Sequence, residues 1–149
     1  MGPSGSICAM DIDYLILAEH AEVTGSKLYL MGGGWDTMNV PDVPANVRLT
    51  AVAGIRVEWD ETNVSVPVVV RVDDDDAQEV FRLDGQMNVG RPPQLLPGTS
   101  QLSQMTFVLQ LQLKALGGYR VSLAVGPEDR QVRRSVPFRL VKAPAPPTR

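Results

Sequence analysis

The 149-residue chain holds one cysteine and one histidine. Cys8 alone cannot close an internal disulfide, and Cys8 with His20 falls short of a Cys/His zinc set. No run approaches the roughly 18 apolar residues that a membrane helix requires. The net charge is −3, so no global field draws the chain to nucleic acid or anionic lipid. The first residues carry neither the basic nor the apolar segment of a signal peptide, which makes the cytoplasm the expected compartment. Met1-Gly2-Pro3-Ser4-Gly5-Ser6 matches a myristoylation pattern in form, but Pro3 stiffens the acceptor end, and residues 1–10 read as a flexible leader.

What is present is a β-forming composition. Apolar residues make up 44% and charged residues 21%, with 13 glycines and 12 prolines as punctuation. A chain of this length buries about 70% of its unfolded surface as one domain without disulfides or metals. Ile12 to Ala18 is an almost unbroken apolar run, as expected of a central strand covered on both faces. Thr24-Gly25-Ser26 turns it into Leu28 to Met31, the first hairpin. Gly32-Gly33-Gly34 follows, leading straight into Trp35 and Asp36. Three glycines together are entropically costly and must be held in place. Trp35 is the expected plug, with Asp36 closing an Asx turn.

Asn39 to Asn46, with Pro41 and Pro44, reads as a loop between sheets. Val47 to Trp59 alternates apolar and polar residues, as in a strand with one buried and one wet face, Gly54 marking a bulge. Val64 to Val72 contains Pro67, which removes a ladder donor and predicts an edge strand. Asp73 to Asp76 then forms a hairpin tip before the alternating Phe81 to Val89. Gly90 to Thr99 is a proline-bearing crossover. Met105 to Leu113, Tyr119 to Val125 and Val132 to Val141 complete the set, with Pro137 again suggesting an edge. Residues 143–149 read as a disordered, proline-rich tail. The expectation is an all-β chain: a single antiparallel β-sandwich of about eight strands over residues 11–142, immunoglobulin-like or C2-like, with a closed barrel as the alternative.

Five segments carry a resemblance: Leu15 to Glu22, Lys27 to Asp36, Trp59 to Asn63, Gly90 to Pro93 and Gly118 to Val121. In these the chain resembles a family of small bacterial all-β proteins of unknown function with a Leu-Tyr-x-x-Gly-Gly-Gly-Trp-Asp motif. The resemblance implies a fold and a bacterial, cytoplasmic context, and it brings no substrate or catalytic residue.

The triple glycine is no phosphate loop, because neither a Lys-Ser/Thr pair nor a helix follows it. Asp73 to Asp76, with Asp60, Glu61, Asp11 and Asp13, invites a calcium reading, yet the EF-hand spacing is missing and a solvated turn explains the tip as well. His20 lies between Glu19 and Glu22 with no Gly-x-Ser-x-Gly elbow anywhere. It reads as a structural residue at a strand end. Arg130, Arg133, Arg134 and Arg139 form a basic cluster without interleaved aromatics, which fits a wet sheet face better than nucleic-acid binding.

Trp35, Asp36, Trp59, Asp60, Glu61 and Arg91 remain as a candidate partner-binding rim, since Trp and Arg are enriched in binding hot spots. Arg91 has a second reading, as a pin of the crossover through Asp60 or Glu61. The expected function is a non-enzymatic binding or assembly module that recognises a protein partner through sandwich loops or edge strands. No catalytic residue, cofactor, metal, nucleic acid or membrane is expected. Two alternatives stand beside it: a small-molecule or carbohydrate-binding, even hydrolytic, protein using Asp36, Glu58, Asp60 and Glu61, and calcium-dependent membrane association.

Overall fold

The apolar–polar alternation becomes nine strands in a computed structural model that describes residues 10–144. They are β1 (Asp11–Thr24), β2 (Lys27–Gly33), β3 (Thr37–Val40), β4 (Ala45–Val57), β5 (Ser65–Asp74), β6 (Glu79–Asn88), β7 (Gln101–Leu113), β8 (Gly117–Val125) and β9 (Val132–Lys142). Except for Met10, the expected leader, Cys8 included, lies outside the described residues, as does the expected tail from Ala145 onward. Ala143 is tied down, its amide donating to the Val40 carbonyl at 2.7 Å.

The strands form two open sheets, ordered β2-β1-β4-β7 and β3-β9-β8-β5-β6. This is a β-sandwich, and neither sheet closes into the alternative barrel. Between the sheets lie Leu49, Ala51, Ala53, Ile55 and Val57 of β4, Val68, Val70 and Val72 of β5, and Val121 and Leu123 of β8. Among the described residues all pairings are antiparallel except β3 with β9. The added strand is β3, whose second half, Asn39 and Val40, stands where a loop is expected.

The expected first hairpin is present. Gly25 and Ser26 both take left-handed angles, φ 59° and 64°, and link Thr24 to Lys27 in the two-residue turn whose twist matches that of paired strands. β1 is interior, as its apolar run implied, although it continues past Ala18 to Thr24. The hairpin lies over the outer face of its own sheet: Leu28 and Leu30 pack with Tyr14, Ala18, Ala21 and Val52. Gln104 of β7 donates to the Ser26 carbonyl at 3.1 Å. The even-numbered face of β4 is therefore not wet in its middle, where Thr50, Val52 and Gly54 are buried.

Gly54 marks no bulge in β4. The irregularity is in β1, between Ile12 and Tyr14, and Gly54 is the floor on which the Tyr14 ring rests. A Cβ there would stand 2.1 Å from Tyr14 Cε2. Arg134 closes the bulge from the other sheet, its Nη1 donating to the carbonyls of Ile12 and Asp13. One member of the basic cluster thus joins the two sheets.

β5 is interior, contrary to the expectation drawn from Pro67. A residue in an extended strand aims its N–H and C=O the same way, and the Pro67 carbonyl accepts from Gly126 at 2.9 Å. The missing donor faces the point where β8 has already ended, so the ladder to β6 is intact. In β9, Arg139 donates to the Asp36 carbonyl at 2.8 Å. The nitrogen of Pro137 therefore points to the same side, before β3 begins. That half of β9 is an edge, as expected.

Candidate functional site

The glycine crossover is built residue by residue. Gly32 and Gly34 take left-handed angles, φ 62° and 81°, while Gly33 lies against Leu30 with no room for a Cβ. The Gly34 amide donates to the Leu17 carbonyl at 2.9 Å, and the chain then leaves the first sheet for the second. Trp35, half-buried, meets Phe138 edge-on at 6.2 Å between centroids. Phe138 in turn stacks on Tyr119 at 5.4 Å. The indole N–H is buried with no hydrogen-bond partner among the described residues. Asp36 closes no Asx turn: its carboxylate accepts the Thr37 hydroxyl at 3.1 Å, and its carbonyl holds Arg139.

The second cluster forms where β4 ends. Trp59–Glu61 is a single 3₁₀ turn bounded by a reciprocal cap: the Glu61 amide donates to the Glu58 carbonyl at 2.9 Å and the Glu58 amide to the Glu61 carboxylate at 3.1 Å. The other Glu61 oxygen accepts the Met10 amide at 3.1 Å. Burial pushes the Glu61 carboxyl upward in pKa, and these two amides pull it back. Arg91 lies over the Trp59 ring at 3.6 Å. Its Nη2 donates to the Trp59 carbonyl at 2.7 Å and its Nε to the Thr62 hydroxyl at 3.0 Å. Thr62, only 6% exposed, donates to the same carbonyl at 2.9 Å.

Trp59, Asp60, Glu61 and Arg91 therefore share one end of the sandwich, whereas Trp35 and Asp36 sit on the β2–β3 crossover against the far half of β9. Arg91 pins the loop through a carbonyl, a hydroxyl and a ring rather than through a carboxylate. Asp60 and Glu61 line a cleft of about 330 Å³ with Met10, Val64, Val125 and Arg130. Thr62 lies within the Trp59 to Asn63 segment but outside the candidate rim, and nothing in its neighbourhood marks a partner 29 positions away. Arg91→Lys is expected to lower stability by about 1–2 kcal/mol, because an ammonium cannot stack flat on the ring while donating twice. Urea denaturation checks it, and an unchanged midpoint at unchanged slope contradicts it.

The aspartate tip serves its own backbone. Asp74 Oδ1 accepts the amides of Asp76 and Gln78, both at 2.9 Å, Asp75 accepts Gly118 at 3.0 Å, and Asp73 pairs with Arg71 at 2.6 Å. Among the described residues no group of three or more His, Cys, Asp or Glu is arranged to hold a metal ion. His20 is exposed, 4.0 Å from Glu22. No helix of the described residues is long and apolar enough to cross a membrane.

The two strands on one side of the sandwich, β6 and β7, each leave an edge unpaired among the described residues, and they manage it differently. β6 carries Glu79, Arg82 and Asp84 in ion pairs at 3.0–3.6 Å, together with Gly85; such features blunt an edge. β7 has no charge, proline or glycine in 13 residues, and its register with β4 runs unbroken from Gln101 to Leu113. Between these edges the core is incompletely covered. Phe81 of β6 and Met105 and Phe107 of β7 are half-buried, and Leu83 is 40% exposed. On the outer face of β7, Val108 is 47% exposed.

Residues 13–140 match the model of DUF6941, a family of unknown function. No curated protein matches the chain.

Proposed function

We propose that this chain, which belongs to the DUF6941 family, is a non-enzymatic assembly module that takes up a protein partner along an open sheet edge. One observation carries the reading: among the described residues β7 offers a 13-residue charge-free edge, in unbroken register with β4, beside half-buried core residues. Unpaired N–H and C=O groups in a row template an added strand, and natural monomers blunt such edges with charges, prolines or bulges. β6, the neighbouring edge, is blunted and β7 is not. The Trp59–Arg91 end serves in this reading as a clamp for the β4–β5 and β6–β7 loops. A bacterial cytoplasm is the context we assign, from the resemblance carried by Leu28 to Asp36.

The reading is tested by affinity capture from lysate of the native host, with the wild type, Val108→Lys and Arg91→Ala compared. The expected result is a stoichiometric strand-adding partner, a second copy included, held by the wild type and Arg91→Ala and lost from Val108→Lys. A partner lost only from Arg91→Ala would move recognition to the loop end and overturn the edge route. Capture of nothing, the chain itself included, would overturn the module reading.

A further inference from the structure

The β7 edge is compatible with its own copy. In an antiparallel pairing about a two-fold axis at Val108, Thr106 stands opposite Gln110, Gln104 opposite Gln112, Phe107 opposite Leu109 and Met105 opposite Leu111. Every pair from Gln104 to Gln112 then joins apolar to apolar or amide to hydroxyl or amide, and only Ser103 opposite Leu113 is mixed. Val108, the most exposed apolar side chain of β7, meets its symmetry mate. Cross-strand pairs of this kind stabilise a sheet, whereas like charges set opposite each other would oppose it. With no charge in the strand, the edge lacks the electrostatic pattern by which a foreign strand is selected. It also lacks any feature that rejects self-pairing.

We propose that the partner at this edge is a second copy of the chain, paired β7 to β7 antiparallel in an isologous dimer. The proposal rests on the edge reading above. The two four-stranded sheets become one of eight strands, and the axis is perpendicular to that sheet, so both five-stranded sheets lie on its same side. The two open flanks then face each other, and Phe81, Leu83, Met105 and Phe107 of each copy are covered by the other's. A two-fold contact of this type closes on itself, which also takes the exposed edge away from open-ended aggregation.

Sedimentation equilibrium over a roughly hundredfold range of protein concentration tests this. The wild type is expected to move from 16.2 kDa toward twice that mass. Val108→Lys, a change at an exposed site, is expected to stay monomeric at every concentration and to melt like the wild type at dilutions where the wild type is monomeric too. Mixing Val108→Lys with Val108→Glu restores the dimer mass, since opposite charges then meet at the axis. A Val108→Lys protein that associates like the wild type overturns the proposed register. A wild type that stays monomeric while lysate capture still loses its partner on Val108→Lys overturns the second copy and leaves the edge reading. A monomeric wild type that captures nothing overturns both.

Discussion

Trp35→Ala lowers the free energy of unfolding by about 3 kcal/mol, the lower end of what removing a large aromatic costs. The size follows from position: the ring is half-buried against Phe138 rather than fully enclosed. It also packs at the end of the crossover in which Gly32 and Gly34 adopt left-handed angles, beside the backbone bonds from Gly34 to Leu17 and from Arg139 to Asp36. Trp35→Phe separates packing from polarity. Phenylalanine keeps an edge-on contact with Phe138 and removes an indole N–H that has no partner among the described residues. Leaving a buried donor unsatisfied costs about 1–3 kcal/mol, so Phe recovers most of the loss. Equilibrium urea unfolding of both variants measures this; an alanine variant as stable as the wild type would show that Trp35 is not the plug.

Gly54→Val is the second large effect, about 3 kcal/mol, at the upper end for an overpacked site. The new Cβ would fall within 2.7 Å of three atoms of the Tyr14 ring. That ring cannot swing aside freely, since its hydroxyl is bonded to Gln104, which in turn holds the Ser26 carbonyl. The β1–β2 hairpin is thus anchored through Tyr14, and displacing the ring loosens the hairpin as well. A double-mutant cycle isolates the cause: Tyr14→Ala in the Gly54→Val background should cost much less than Tyr14→Ala in the wild type, because the clash is gone. Additive losses would mean that Gly54 is required for some other reason.

Most of the fold was legible because the signal of a half-buried strand is local. The alternation of Val47 to Val57, Met105 to Leu113 and Tyr119 to Val125 places strands without knowledge of their partners. What was illegible depends on partners. Thr37 to Val40 is four residues beside Pro41 and Pro44, and it is a strand only because β9, a hundred residues later, runs parallel to it. Pro67 reads as an edge residue until the end of β8 is known. The even-numbered face of β4 reads as wet until the β1–β2 hairpin is laid over it.

The candidate residues divide the same way. Arg91 reads in sequence as a pin through Asp60 or Glu61, whereas its acceptors are the Trp59 carbonyl and the Thr62 hydroxyl, which cannot be read from charge. Trp35 and Trp59 look alike in sequence and belong to different ends of the sandwich. β7 was visible as a strand and invisible as an edge, because strand order is not encoded in periodicity. Its lack of charge acquires meaning only beside the charged β6.

In the proposed function the β7 edge is occupied in the working state of the protein. Amide hydrogen exchange over residues 101–113, followed by mass spectrometry in dilute and in concentrated solution, tests it most directly. Occupation by a second copy predicts that the outward-facing amides of β7 slow markedly in the concentrated sample while those of β4 and β8 stay unchanged. Equally fast exchange of those amides at both concentrations, with the rest of the sandwich protected, would contradict it.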